Sequence, residues 1–140
     1  MALKLKSMET STGCFEISLE GRLDSTTYLQ LDNLLNSVLT GKPRRVRYDL
    51  TGLVYMSSMG LRMFIRTASS LRACGGAMAL ANPQPQIKKV FEIANALPSL
   101  GVFGSVEEAD RYLDGVQKRE VAKQAPAQPD AGKPQKKLGF

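Results

Sequence analysis

Residues 49–62 read DLTGLVYMSSMGLR, and this stretch predicts the end of a strand, a tight loop and the first turn of a helix. The adjacent hydroxyls of Ser57 and Ser58, followed by Gly60, fall where the loop becomes the helix. The start of a helix offers unpaired backbone N–H groups and a partial positive charge, so it can hold a phosphate or a carboxylate. The stretch therefore predicts a strand-to-helix unit that carries a functional loop.

Alternating apolar and polar residues predict the strands on both sides of that stretch. Two short strands, at 3–8 and 14–20, are separated by a turn and indicate an antiparallel hairpin, and a third strand covers 44–50. The short apolar run Ala77–Ala81 is bounded by turn residues and predicts a central buried strand. Residues 100–103 predict a short edge strand.

Apolar residues at helical spacing predict four helices. The first covers 28–39, with Asp24 or Ser25 as its N-cap, and the second follows the opening stretch and ends before two glycines. The third begins in the proline-containing segment 82–85. The fourth opens on a capping box at 105–108 and ends near Leu113.

The predicted elements follow in the order β-β-α-β-α-β-α-β-α. Helices between successive strands imply parallel, right-handed crossovers, whereas the opening hairpin makes the sheet mixed. We therefore expect an α/β fold in which about four helices pack against a mixed sheet of about five strands. This domain covers residues 1–114. Residues 115–140 are basic, rich in Pro, Lys, Gln and Ala, and expected to be disordered.

The composition argues against nucleic-acid binding, metal binding and catalysis. The net charge is +6, but residues 115–140, with six basic and two acidic residues, contribute +4 of it. No recognition helix or aromatic interleaving accompanies that charge, so we expect no direct contact with nucleic acid. The chain has no histidine, and Cys14 and Cys74 fit no metal-ligand spacing. We therefore expect no metal, no cofactor and no enzymatic activity.

The sequence also predicts where in the cell the protein is located. No apolar run approaches the length of a membrane span, and the alternating start of the chain has no apolar core of a signal peptide. A cytoplasmic location with reduced cysteines is expected.

Several blocks occur in an order that resembles a known family. Gly21-Arg22-Leu23-Asp24 precedes the first helix, and the opening stretch supplies YDLTGL and YMSSMGL. The blocks CGG, NPQPQI and FEIA follow from residue 74 onward. Together they resemble the STAS domains, specifically the anti-sigma factor antagonists of bacterial partner-switching systems. The resemblance covers roughly residues 1–114 and leaves out the tail.

The resemblance implies a binding module that acts by competition. In that family the antagonist binds an anti-sigma factor that is also a serine kinase, and thereby frees a sigma factor for transcription. Phosphorylation of a serine at the start of the second helix breaks the complex, because charge added to a packed interface costs desolvation and repulsion. A phosphatase restores the complex. The expected partners are thus the kinase-type anti-sigma factor and a phosphatase; the sequence indicates no oligomeric state.

At the phosphorylation position the chain departs from the family pattern. The family loop often reads Asp-Ser-Ser-Gly, and aligned on residues 57–60 it places Met59 where the phosphorylated serine is expected. Methionine cannot accept a phosphoryl group. Three interpretations stay open. The protein is a permanently active antagonist, it is phosphorylated at Ser58 or Ser57 instead, or it is a STAS subunit of another complex, such as one with the ATPase of a lipid-transport ABC system.

The predicted partner-binding and switch residues are Ser57, Ser58, Met59, Gly60, Asp24 and Arg62. Most of them also have a purely structural interpretation. Ser58 and Asp24 can be helix caps, and Gly60 can serve a close backbone approach. Arg62, like Arg66 one turn later, can be a solvated charge. The methionines at 56, 59 and 63 can lie either in the core or on a contact surface.

Overall fold

The computed structural model describes residues 2–96 and 105–124, which form four strands and four helices. The strands are β1 (Leu3–Ser11), β2 (Cys14–Leu23), β3 (Arg45–Met56) and β4 (Ala77–Ala81). The helices are α1 (Tyr28–Thr40), α2 (Ser58–Ala73), α3 (Pro85–Ala96) and α4 (Val106–Gln124). The predicted order is confirmed as far as α3. The predicted strand at 100–103 lies outside the described residues.

The described sheet has the strand order β1-β2-β3-β4. The hairpin of β1 and β2 is antiparallel and turns at Gly13, whose φ of 76° suits a glycine. β2 pairs with β3, and β3 with β4, in parallel, with α1 and α2 as the connecting helices. The predicted mixed sheet is therefore confirmed.

β3 runs through residues 51–56, where the sequence predicts a tight loop, so that prediction is wrong. β2 extends to Leu23 and pairs with β3 as far as Met56. The register shifts twice along this pair, because β3 carries an extra residue opposite the Ser18–Glu20 segment and again at Val54. These bulges let Leu50 and Leu53 both face the core and carry the chain directly into α2.

The core lies between the helices and one face of the sheet. In β3, Val46, Tyr48 and Leu50 are buried, whereas Arg45 and Arg47, which alternate with them, are exposed. The Tyr48 hydroxyl shares a hydrogen bond of 2.7 Å with Thr67 of α2, and its ring lies edge-on to Phe64 with 4.6 Å between centroids. Burial raises the pKa of Tyr48, so the phenol stays neutral. This contact seats α2 on the sheet.

The expectation that Ala77–Ala81 is buried is wrong, because the residues of β4 are exposed or half-buried. Among the described strands β4 pairs with β3 alone, and the strand predicted beyond it at 100–103 lies outside the described residues. β4 pairs with β3 only as far as Asp49. The second half of β3 therefore needs other groups to satisfy its outer edge.

The last described helix is longer than predicted. Ser105 accepts a hydrogen bond from the Glu108 N–H at 3.1 Å, which agrees with the predicted capping box. However, α4 does not end near Leu113 but continues to Gln124, because Leu113 and Val116 form a buried stripe on it. The predicted disorder is thus wrong for residues 115–124, and residues 125–140 lie outside the described part.

Candidate functional site

Ser57 is the N-cap of α2. The sequence had indicated Ser58 for this position. The Ser57 backbone is extended (φ −93°, ψ 179°), and its hydroxyl oxygen accepts a hydrogen bond from the Gly60 N–H at 3.3 Å. Its own N–H donates to the Leu23 carbonyl at 2.9 Å. The end of β2 therefore holds the start of α2, and the Ser57 side chain is 4% exposed.

Ser58, the first residue of α2, lies inside the protein. Its side chain is 1% exposed, and its hydroxyl is the one buried side-chain polar atom without a partner in the described residues. A buried hydroxyl without a hydrogen bond costs about 1–3 kcal/mol. Its backbone N–H donates to Oδ1 of Asp110 in α4 at 2.8 Å. The predicted anion site at this helix start is therefore occupied by a carboxylate of the chain itself.

Gly60 is required by close packing, as the sequence analysis suggested. A Cβ placed on it would lie 2.8 Å from both the carbonyl oxygen and the Cγ atom of Leu23. That carbonyl also accepts the hydrogen bond from Ser57. Gly60 thus allows the helix start to sit against the end of β2, beside the loop that begins at Asp24.

Asp24 organises that neighbouring loop instead of capping α1. Its Oδ1 accepts hydrogen bonds from the N–H and the hydroxyl of Thr26 at 2.9 and 2.7 Å, whereas the N-cap position is Thr27. The predicted cap at Asp24 or Ser25 is therefore wrong. Burial pushes the pKa of Asp24 up, but the hydrogen bonds from Thr26, Thr27 and Arg22 outweigh it and hold the pKa below its usual value. Asp24 is an ionised, half-buried group beside the α2 start.

Next to the start of α2, helices α1 and α2 lie side by side, joined by contacts of Arg66 with α1. Met59 is half-buried and Arg62 is exposed. Arg66, which lies on the same stripe of α2, pairs with Asp32 and also donates to Asn36 at 2.6 Å, so it ties α2 to α1 rather than projecting as a free charge.

Two large apolar side chains extend this surface. Leu29 in α1 is 56% exposed and lies on the stripe of Asp32 and Asn36, which face α2. Ile65 in α2 is 48% exposed and follows Arg62 by one turn. We call Asp24, Leu29, Met59, Arg62 and Ile65 the docking face.

The structure divides the predicted site residues into two groups. Met59, Arg62 and Asp24 present side-chain surface, whereas Ser57, Ser58 and Gly60 are buried. Met56 and Met63 belong to the core, at 0% and 7% exposure. Sequence reasoning missed Leu29, Ile65 and Asp110. Ile65 belongs to the apolar periodicity that predicts the core-facing side of α2, yet it is 48% exposed. Asp110 contacts a residue 52 positions earlier, which no local pattern indicates.

Residues 2–96 and 105–124 contain no cluster of His, Cys, Asp and Glu side chains that could hold a metal ion. In the same residues, no helix has both the length and the apolar content needed to cross a membrane.

Comparison with known proteins identifies the family. The STAS domain model matches residues 6–109. BtrV of Bordetella bronchiseptica, to which the role of anti-sigma factor antagonist is ascribed, is 34% identical over 103 residues, covering 74% of this chain and 89% of BtrV. The anti-sigma F factor antagonist of Lysinibacillus sphaericus is 29% identical over 83 residues, covering 59% of this chain and 71% of that protein.

A solved structure agrees on the fold. The unphosphorylated form of the anti-sigma factor antagonist SpoIIAA matches 68% of this chain and 84% of its own, with a TM-score of 0.61 and 22% identity. The match to the family model covers well over half of the 140 residues, and BtrV is related over most of its length. The chain therefore belongs to the STAS domain family.

Proposed function

We propose that the protein is an anti-sigma factor antagonist of a partner-switching system and that it binds a kinase-type anti-sigma factor through the docking face and the adjoining loop 57–60. The observation that carries the proposal is the surface that the first turns of α2 leave uncovered, where Met59 is half-buried and Arg62 and Ile65 are exposed. The ionised Asp24 directly follows Leu23, which packs against Gly60 at the start of the same helix. Exposed apolar side chains flanked by charges of both signs are suited to a protein interface. The names of the two relatives support the same role.

The surface is suited to binding rather than to catalysis. Among the described residues of the docking face there is one carboxylate and one guanidinium, and no nucleophile is paired with a base. We therefore propose a non-enzymatic protein that acts in the cytoplasm by competing for its partner.

The side chains of residues 57–59 bear on whether a kinase can switch the protein off by phosphorylation. Met59 occupies the position that the family resemblance assigns to the phosphorylated serine, and the hydroxyls of Ser57 and Ser58 are both buried. In this conformation none of the three side chains offers a kinase an exposed acceptor. This favours an antagonist that stays active over the alternative of ready phosphorylation at Ser57 or Ser58.

Direct binding tests the proposal. Each kinase-type anti-sigma factor encoded in the same genome is titrated with the full chain in an isothermal calorimeter, with and without ATP. We expect one of them to form a complex that persists in ATP. If none binds, the antagonist role is wrong, and a STAS subunit of another assembly becomes the better account.

Met59→Ser is expected to turn the protein into a substrate of that kinase. The substitution places a hydroxyl at a half-buried position on the first turn of α2, outside the packed interior that hides Ser57 and Ser58. Mass spectrometry after incubation with kinase and ATP should show one added phosphoryl group at position 59, and binding should then weaken.

The unchanged protein is the control for that experiment, and it should stay unmodified over the same time. An unmodified Met59→Ser variant would show that the alignment of the loop with the family pattern is out of register.

A further inference from the structure

A groove of about 250 Å³ lies between the end of β3 and α4, outside the docking face. Val54 of β3 and Val121 of α4, which are 40% and 47% exposed, line it together with the half-buried Tyr55. Exposed apolar side chains that share a concave surface mark a place where another molecule can bind. The groove is therefore a second candidate for contact with a partner.

One wall of the groove comes from a part of α4 that lies outside the match to the family model. The STAS domain model ends at residue 109, whereas α4 continues to Gln124. Asp114, Lys118 and Val121, which line the groove, all follow that limit. The groove is thus not part of what this chain shares with the family model.

Apolar and polar contacts of α4 fix this wall in place. Leu113 and Val116 are buried, and Gln117 is 2% exposed. The Gln117 Oε1 atom accepts a hydrogen bond from the Met56 N–H at 2.9 Å, and its Nε2 donates to the Met56 carbonyl at 2.7 Å. A neighbouring strand would make the same pair of bonds, but the pairing of β4 ends at Asp49. A groove whose walls are already in place loses little conformational freedom when it binds a segment.

Arg22 lines the groove with a guanidinium group that is already oriented. Its Cζ atom lies 3.9 Å from the centroid of the Tyr55 ring, and its Nε–H donates to Oδ2 of Asp24 at 3.4 Å. The side chain is 37% exposed, and its two terminal nitrogens have no hydrogen-bond partner within residues 2–96 and 105–124. Two parallel N–H groups of a guanidinium match the two oxygens of a carboxylate. Arg22 therefore offers a prepared site for a carboxylate of another molecule.

The Tyr55 ring that supports this guanidinium is neutral. Burial, and after it the Asp114 carboxylate, raise the pKa of Tyr55 to about 12. A neutral aromatic ring attracts a cation to its face, so Tyr55 holds the Arg22 side chain in position. Asp114 itself pairs with Lys118 at 3.0 Å rather than with Arg22, which leaves the terminal nitrogens of Arg22 available.

The size of the groove favours a segment of a larger partner as its occupant. Its volume is below the roughly 300–1,000 Å³ of sites for small molecules. A stable protein contact uses about 20–30 residues on each side, far more than line this groove. The occupant must therefore be held by an adjoining surface as well. The docking face adjoins the groove, because Arg22 contacts its member Asp24.

We propose that the groove between β3 and α4 binds a segment of the same anti-sigma factor that occupies the docking face. An apolar side chain of that segment packs between Val54 and Val121, and a carboxylate of the segment binds the Arg22 guanidinium. The inference rests on the proposed function and adds to it a second contact of stated chemistry.

Calorimetric titration of the kinase-type anti-sigma factor with variants of the full chain tests the groove. Val121→Asp introduces a charge among the apolar side chains, and Arg22→Gln removes the group that binds the carboxylate. Each substitution should raise the Kd by about tenfold or more. Both side chains reach solvent in the free protein, so the fold should be retained, and thermal unfolding of the free variants checks this.

Arg47→Gln is the matched control for Arg22→Gln. Arg47 lies near the start of β3, pairs with Glu16 and has a side chain that is 45% exposed. Because it does not line the groove, its substitution should leave the Kd within a factor of about two.

The possible contrary results separate the groove from the proposed function. If the unchanged protein binds and the Kd of either Val121→Asp or Arg22→Gln stays within a factor of about two, the groove proposal is wrong and the proposed function stands. Absence of binding by the unchanged protein would contradict the proposed function, and the groove proposal with it. In analytical ultracentrifugation, a dimer of the unchanged protein that Val121→Asp dissociates would show that a second copy fills the groove instead, which would also overturn the proposal.

Discussion

Gly60→Ala is expected to destabilise the protein by about 1–3 kcal/mol, the usual cost of an extra methyl group in a packed site. The new Cβ would lie 2.8 Å from the Leu23 carbonyl oxygen, a backbone atom that cannot rotate away. Because this oxygen accepts the hydrogen bond from the Ser57 N–H, relief of the clash must move the helix start away from β2. Urea denaturation followed by circular dichroism measures the effect.

Gly41→Ala is the matched control for that substitution. Gly41 follows α1 with φ of −80°, and the nearest atom to an added Cβ lies at 3.8 Å, an ordinary contact. Its stability should be unchanged or slightly higher, because alanine restricts the unfolded chain. Equal midpoints for the two variants would contradict the close approach of α2 to Leu23.

Ile65→Asp is expected to weaken binding of the kinase-type anti-sigma factor by about 2 kcal/mol or more, roughly thirtyfold in Kd. Ile65 is 48% exposed on the docking face, so an aspartate is tolerated in the free protein. In the complex the carboxylate would lose water without a prepared partner, and this desolvation is the source of the lost affinity. Calorimetric titration gives the Kd, and thermal unfolding checks that the free fold is retained.

Met8→Asp serves as the comparison for Ile65→Asp. Met8 is 61% exposed on the edge strand β1 and pairs with Glu16, toward the end of β2 that is far from Leu23. The same change of chemistry there should leave the Kd within a factor of about two, since surface substitutions away from an interface have small effects. An equal loss of affinity from both variants would contradict the claim that the anti-sigma factor binds at the docking face.

Much of the fold could be predicted because its signals are local. The hairpin of β1 and β2 and the helices α1 and α2 follow from the period of apolar residues and from turn residues such as Gly13 and Gly75. The β3 extension was missed because Thr51 and Gly52 resemble a turn. Only the pairing with β2 shows that these residues form a bulge within a strand.

The site could be predicted only in part, for a related physical reason. A family resemblance located the loop 57–60 and its neighbour Asp24, and the structure places both beside Leu23. Two groups of α4 hold the backbone that leads into this loop: Asp110 and Gln117 accept hydrogen bonds from residues 52 and 61 positions earlier. A buried glutamine or a half-buried aspartate adds nothing to an apolar pattern, so the length and role of α4 were not predicted.

Release of a sigma factor tests the central claim most directly. The cognate sigma factor carries a fluorescent label and is bound to its kinase-type anti-sigma factor in the presence of ATP, and the protein is then added while anisotropy is recorded. The account predicts that anisotropy falls to the value of the free sigma factor, that it stays there as ATP is consumed, and that Ile65→Asp needs a much higher concentration for the same effect. Anisotropy that stays at the value of the complex at every concentration of the unchanged protein would contradict the account.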